Sequence, residues 1–290
     1  MESRNGVEPP TNVFGKGQPL AWLNLLCLDA PLVAVSWAWL FARSRGISPH
    51  CGASAALFLT AWLIYLVDRF GDSSSLRPAA ATSLRQRFCR RYRAAWLVGI
   101  IVVAVADGIV IATQVTAHHR RWGAFLGICA VVYLFVNQRL PRIWKILPLK
   151  EVTIGFLFAA GTMVPLVVGL TRSAAPQWLL FACLCALNCI CIAAWERSLD
   201  LAQQRVSIAT AFPKISSYLP AALPLLGGLN LAIGASNVQP VRVYFCIAAS
   251  AFLLALVHVC RRRIQQDTRT ALADLVLLTP VVVLLLDYAS

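Results

Sequence analysis

Long apolar stretches separated by short polar segments are the feature that most constrains this 290-residue chain. A transmembrane helix needs about 20 mainly apolar residues, and nine stretches approach or reach that length. They lie at approximately 20–42, 50–69, 94–115, 122–139, 152–170, 178–196, 217–236, 240–260 and 271–288. Charged residues form only 13% of the chain, against about 25% in a typical soluble domain. The sequence therefore predicts an all-α polytopic membrane protein with about nine transmembrane helices.

The segment before the first apolar stretch has a different character. It is polar and carries Pro9, Pro10, Gly15 and Gly17, which favour irregular structure. We therefore predict a flexible cytoplasmic tail at 1–19 and a single transmembrane helical domain at 20–290. No signal peptide is evident, because the first apolar stretch is too long for the short apolar region of such a peptide.

The positive charges are distributed unevenly along the chain. Of the 26 Lys and Arg residues, 20 lie in the tail and after the second, fourth, sixth and eighth predicted spans. Positive residues concentrate on the cytoplasmic side of membrane proteins, so the N-terminus is expected inside and the C-terminus outside. The net charge of +14 is therefore explained by positive residues on the cytoplasmic side of the membrane, beside lipid. We predict no nucleic-acid partner. Without organellar targeting features, we expect an integral protein of the bacterial inner membrane.

Two acidic pairs stand at matching places on the predicted cytoplasmic side. Asp68 and Asp72 end the second span, and Glu196 and Asp200 end the sixth. Residues four apart share one face of a helix. Magnesium prefers one or two carboxylates together with phosphate oxygens and water, so the pairs predict Mg²⁺ as a cofactor. In the alternative interpretation these are ordinary interfacial carboxylates that pair with nearby arginines.

A strongly basic segment from Gly71 to Arg93 follows the first acidic pair. It holds six arginines: Arg77, Arg85, Arg87, Arg90, Arg91 and Arg93. One interpretation is an anchor on anionic lipid. The other is a cationic lid beside the acids, and the two are compatible.

Several polar residues fall inside the apolar stretches: Asn24, Asp29, Asp107, Asn188 and Asp274. A charged side chain at the centre of a span costs about 2.5–3.5 kcal/mol on insertion scales, so each is expected to face a partner or a cavity. Asn188 stands two turns before Glu196 and is expected to line the same cavity. Asp29 and Asp107 have no obvious cation nearby in sequence and fit a hydrogen-bonded acid or a general base. For Asp274 we favour a helix-start position.

The residues around the acidic pairs resemble motifs of the UbiA-like superfamily of intramembrane prenyltransferases. Its first motif, NDxxDxxxD, aligns with Ile64-Tyr65-Leu66-Val67-Asp68-Arg69-Phe70-Gly71-Asp72. The last two acids match, while Ile64 and Tyr65 replace the leading Asn-Asp. The second motif has three acids at four-residue spacing and aligns with Ile192, Glu196 and Asp200.

A third stretch resembles the family pattern YPxxKRxTxxPQxxLG after the fourth helix. Pro141, Lys145 and Gly155 match it, and Trp144 stands where the family usually has Lys. The segment Pro148 to Glu151 departs from the usual LPQ region. The resemblance therefore covers the topology of most of the chain and incomplete motifs in three places.

The resemblance implies transfer of a prenyl group from a prenyl diphosphate to a small aromatic or lipid acceptor. Magnesium would be held by Asp68, Asp72, Glu196 and Asp200. Catalytic clamping of the phosphate oxygens would fall to Arg69, Arg142 and Lys145, because cationic side chains bind such oxygens. Aromatic faces shield cations, and the substrate-binding residues implied are Tyr65, Trp195, Asn188 and Asn24.

Two other functions stay open at this point. The missing acids at Ile64, Tyr65 and Ile192 are compatible with an inactive UbiA-like protein that binds isoprenoid or serves as a scaffold. A secondary transporter is also compatible, because Asp29 and Asp107 lie within spans and membrane-embedded acids often mark proton or ion pathways.

Overall fold

A computed structural model describes residues 19–74 and 82–289. The predicted tail lies outside the described residues except for its last residue. Within these ranges the secondary structure is helical, with no strand. The helices are α1 Pro19–Leu25, α2 Asp29–Ser44, α3 Cys51–Ser74, α4 Leu84–Arg91, α5 Arg93–Gln114, α6 Ala117–Arg139, α7 Ile143–Ile146, α8 Lys150–Met163, α9 Ala175–Ala202, α10 Ile208–Ala211, α11 Ile215–Ala235, α12 Val241–Val259, α13 Gln266–Leu275 and α14 Thr279–Ala289.

Seven helical segments of the described chain are long and apolar enough to cross a membrane. They are Cys51–Ser74, Arg93–Gln114, Ala117–Arg139, Arg172–Ala202, Ile215–Ala235, Val241–Arg262 and Gln266–Leu286. The protein is therefore a polytopic helical membrane protein, as predicted. The apolar stretches two to four and six to nine correspond to these seven segments.

The first and fifth predicted spans are interrupted or shorter than expected. The first divides into α1 and α2 at Cys27, whose φ of 57° is incompatible with a continuous right-handed helix. The fifth is the 14-residue α8, followed by a 3₁₀ turn at Val164–Leu166. The described helices thus confirm the helical membrane class, and the count of nine spans stays a prediction.

The packed core surrounds α9. Trp37 of α2 stacks on Phe181 of α9 with ring centroids 4.2 Å apart, and Trp37 Nε1 donates to the Leu277 carbonyl at 2.8 Å. Leu184 of α9 and Ile247 of α12 are fully buried in the same cluster. Aromatic pairs of this kind are worth about 0.5–1.5 kcal/mol beyond their burial, so these contacts fix α2 and α12 against α9.

Three helix pairs build the remaining framework: α8 lies along α9, α11 along α12, and α3 along α5. The α8–α9 contact is close enough to require glycine. A Cβ added at Gly155 would lie 2.5 Å from the Ala186 nitrogen and 2.6 Å from its Cα. Small residues permit such backbone contact between membrane helices, and here the contact brings Lys150 and Glu151 at the start of α8 towards the end of α9.

Candidate functional site

An apolar cavity of about 500 Å³ lies among α3, α5, α6 and α8. Most of its wall is aliphatic or aromatic, and nine lining residues are Ala or Gly. Its polar side chains are Thr60, Tyr65, Asp107, His119, Arg120 and Tyr133. The lining residues of α3 run from Ala53 to Tyr65, which spans about 18 Å of helix. A cavity of this volume and chemistry is typical of a small-molecule site.

Both acidic pairs lie at one end of the bundle. Asp68 and Asp72 are on the last turns of α3, and Glu196 and Asp200 are on the last turns of α9. Arg205 joins the two pairs, because its backbone N–H donates to the Asp200 carbonyl at 2.8 Å and its side chain donates to the Asp72 carboxylate. The ends of α3 and α9 therefore lie side by side. Tyr65 of the cavity wall stands three residues before Asp68, so the pair on α3 adjoins that end of the cavity.

One acid of each pair forms an ion pair with an arginine. Arg205 Nη1 lies 2.6 Å from Asp72 Oδ2, and its Nη2 donates to the Asp72 carbonyl at 2.6 Å. Arg85 Nη2 lies 2.5 Å from Glu196 Oε1, which also accepts from Thr270 Oγ1 at 3.1 Å. The sequence interpretation of interfacial carboxylates with arginine partners therefore describes these two residues.

The other two acids have neutral hydrogen-bond partners. Asn137 Nδ2 of α6 donates to Asp68 Oδ1 at 3.5 Å, and Asp200 shares a hydrogen bond with the Ser207 side chain. Carboxylate oxygens are ligands that magnesium prefers. Among the described residues, no three His, Cys, Asp or Glu side chains form a group that could hold a metal ion. The four carboxylates are suitable magnesium ligands, and two of them, Asp72 and Glu196, are paired with an arginine in this structure.

The helix α4 brings part of the basic segment to the acids. Its N-terminus carries a capping box, in which Ser83 Oγ accepts from the Gln86 N–H and the Gln86 side chain accepts from the Ser83 N–H. Cys89 is buried against Ser73 of α3, and burial raises the pKa of the Cys89 thiol. With both ends fixed, α4 directs Arg85 at Glu196, so one arginine of the basic segment lies beside an acid of the second pair. Arg77 lies outside the described residues.

The predicted clamp residues occupy different surroundings. Arg69 lies between the acids on α3, within the field of Asp68, Asp72 and Glu196. Arg142 and Lys145 are exposed on and beside the short helix α7. Arg205 and Arg85 are the arginines that pair directly with two of the acids. Arg142 and Lys145 belong to the third motif-like stretch and were predicted from it. Arg205 lies in the turn that follows α9, outside the three motif-like stretches, so its role could not be predicted from them.

Three predicted substrate residues lie away from the large cavity, and Tyr65 lines it. Trp195 packs beside His258, to which its Nε1 donates at 3.2 Å, and under the Arg269 guanidinium at 5.4 Å. Asn24 Nδ2 donates to Asp29 Oδ2 at 2.6 Å and contacts Asp274 Oδ2 at 3.5 Å.

Asn188 Nδ2 donates to the other oxygen of Asp274 at 3.1 Å. Asp274 is thus a contact between α1, α9 and α13, and it lies near the end of α13. The expected helix-start position is wrong because the helix begins eight residues earlier, at Gln266. Asn188, Asp274 and Tyr65 line a second cavity of about 20 Å³, so Tyr65 belongs to both cavities.

Comparison with known proteins adds no relative. No protein-family model matches the chain, no curated protein matches it, and no solved structure matches it.

Proposed function

We propose that the protein is a UbiA-like prenyltransferase, which transfers a prenyl group from a prenyl diphosphate to a small aromatic or lipid acceptor within the membrane. One observation carries the proposal: two carboxylate pairs, on α3 and α9, are joined through Arg205 at one end of an apolar cavity. A prenyl diphosphate has the matching division into a charged head and an apolar chain.

The cationic side chains supply the anion-binding part of such a site. Arg205 and Arg85 contact Asp72 and Glu196, Arg69 follows Asp68 on α3, and Lys150 begins α8. Arginine binds phosphate oxygens with two parallel hydrogen bonds. A diphosphate would compete with Asp72 and Glu196 for their guanidinium partners. The carboxylates so released, with Asp68 and Asp200, would hold magnesium, which neutralises the charge of the leaving diphosphate when bound.

The cavity supplies the apolar part. Tyr65 and Tyr133 stand at the end nearest Asp68, where an aromatic face would stabilise an allylic cation. The alanines and glycines further along the wall leave room for a hydrocarbon chain. The acceptor would enter beside Tyr65, which also lines the smaller cavity with Asn188.

The proposed topology has nine crossings in one domain, with the N-terminus in the cytoplasm and the C-terminus outside. It adds α1–α2 and α8 to the seven long segments, and the distribution of Lys and Arg supports the orientation. The acids would then face the cytoplasm, where a soluble diphosphate is available. We place the protein in a bacterial inner membrane on the same grounds.

The test is binding of geranylgeranyl diphosphate to the detergent-purified protein as magnesium is titrated. Asp68→Asn and Glu196→Gln are each expected to weaken magnesium-dependent binding at least tenfold, about 1.4 kcal/mol. Thr113→Val is the control, because Thr113 is exposed on α5, donates to the Ile109 carbonyl at 2.7 Å and belongs to neither pair. Binding that ignores both metal and variants would sink the proposal.

A non-catalytic isoprenoid-binding protein is the first alternative, favoured by the two arginine–carboxylate pairs that already neutralise Asp72 and Glu196. Magnesium-dependent binding without product across a panel of phenolic and lipid acceptors would support it. A secondary transporter is the second alternative, favoured by the buried Asp107 in the cavity wall. Proton-coupled uptake lost in Asp107→Asn and retained in Asp68→Asn would support transport.

A further inference from the structure

Asp107 is the unusual residue of the large cavity. Its side chain is 5% exposed and lines the wall on α5. Oδ2 accepts a hydrogen bond from Thr60 Oγ1 of α3 at 2.7 Å, whereas Oδ1 is buried and has no hydrogen-bond partner among the described residues. A buried acceptor without a donor is destabilising, so Oδ1 is an unsatisfied acceptor on a side chain that lines apolar space.

The position of this acceptor separates it from the acidic pairs. Thr60 precedes Asp68 by eight residues on α3, which corresponds to about 12 Å along the helix. A group bound at Asp107 therefore lies deeper in the membrane than anything held by Asp68 or Asp72. Ionisable residues at such depth face a partner or a cavity and are functional candidates.

The surrounding wall limits which ligand suits the acceptor. Ala56, Ala61 and Ile111 line the same cavity. Their hydrocarbon side chains form no hydrogen bonds, so the body of the ligand must be apolar. Most of the cavity wall is apolar, and a charged group that enters such surroundings loses its hydration. A neutral donor is thus favoured over an ammonium group.

We propose that Asp107 and Thr60 form a binding subsite for the hydroxyl group of a mainly apolar lipid alcohol lodged in this cavity. The hydroxyl donates to Asp107 Oδ1, and Thr60 fixes the carboxyl by bonding Oδ2. The hydrocarbon body occupies the space left by the alanines and glycines. This subsite does not depend on prenyl transfer, because it uses none of the acids at the end of α3 and α9.

The experiment compares two probes that differ in one donor, farnesol and farnesyl methyl ether. Their affinities for the detergent-purified full chain are measured by microscale thermophoresis. Wild type is expected to bind farnesol about tenfold more tightly, about 1.4 kcal/mol, because the ether cannot donate to Asp107. Asp107→Leu is expected to abolish the preference, and Thr60→Val to reduce it by weakening the fixation of the carboxyl.

Two further variants locate the probes and control for general effects. Gly127 lines the cavity, and a Cβ added there meets open space, so Gly127→Leu is expected to weaken both probes by occupying the cavity. Thr113→Val is the matched threonine control, because Thr113 is exposed on α5 and its hydroxyl donates to the Ile109 carbonyl within the same helix. It is expected to leave both affinities unchanged.

Three outcomes would overturn the subsite. Equal affinities of the two probes in wild type would mean that the hydroxyl group of farnesol finds no acceptor in the protein. An unchanged preference in Asp107→Leu would place the acceptor elsewhere. Binding indifferent to Gly127→Leu would place the probes outside this cavity, and this result is readable even if Asp107→Leu fails to fold. Loss of diphosphate binding in Asp68→Asn leaves all three outcomes unaffected.

Discussion

The helices α3, α5 and α6 differ sharply from α9 and α12 in how deeply they are buried. Between 11% and 22% of the residues in the most apolar windows of the first group are buried, against 50% in the α9 segment and 56% in the α12 segment. Mean hydropathy does not explain the difference, because α5 is the most apolar of these segments at 2.5. Apolar sequence therefore selects the membrane, and hydropathy does not decide which of the membrane helices are packed most deeply.

The two regions use small residues for opposite purposes. Around the cavity, residues such as Ala56, Gly123 and Gly127 leave space that other side chains do not fill. Around α9, Gly155 leaves space that the neighbouring backbone does fill, and large side chains such as Phe181 complete the core. The cavity consequently lies in the loosely packed region, and the rigid framework lies behind it.

The strongest test of this contrast is a matched pair of glycine substitutions. Gly155→Leu is expected to prevent folding, because its Cβ alone would collide with the backbone of α9 at Ala186. Gly127→Leu is expected to fold normally, because it meets open space. Monodisperse yield on size-exclusion chromatography in detergent measures both. Equal yields would show that the α8–α9 contact adapts and would break the comparison.

A second test removes an aromatic ring from each region. Phe181→Ala leaves a cavity in the packed core, where such truncations cost about 3–5 kcal/mol. Phe125 of α6 is 57% exposed, so Phe125→Ala is expected to cost less than about 1 kcal/mol. Thermal unfolding in one detergent compares the two variants with wild type. A similar loss in both would mean that α6 packs as tightly as α9.

The smallest expected effects concern the two ion pairs that join the regions at the acidic end. The side chains of Arg85 and Glu196 are 10% and 15% exposed, and those of Arg205 and Asp72 are 22% and 33% exposed. A double-mutant cycle with Arg85→Gln and Glu196→Gln is expected to give a coupling of about 1 kcal/mol or more, since screening falls with burial. The same cycle on Arg205 and Asp72 is expected to give about 0.5 kcal/mol. The reverse order would contradict the burial argument.

The residue pattern predicted some parts of the candidate site and missed others. It placed all four acids at the ends of apolar stretches, where α3 and α9 do carry them, because such charges are visible locally. It also showed that Asp107 needs a partner or a cavity. It missed Arg205 as the partner of Asp72, and it gave no sign that Asn24, Asn188 and Asp274 meet. These contacts join residues from distant helices, and one sequence carries no record of such distances.

The sequence by itself determined the class of this protein, since only helices satisfy their backbone hydrogen bonds locally in lipid and the apolar stretches are long enough to need them. Tertiary structure alone decided that the first stretch divides at Cys27, that Arg85 and Arg205 form ion pairs with two of the acids, and that a cavity lined by Asp107 remains open. Hydropathy acts residue by residue along the chain. Cavities and ion pairs arise from the volumes and positions of side chains brought together by folding, and those depend on every packed neighbour at once.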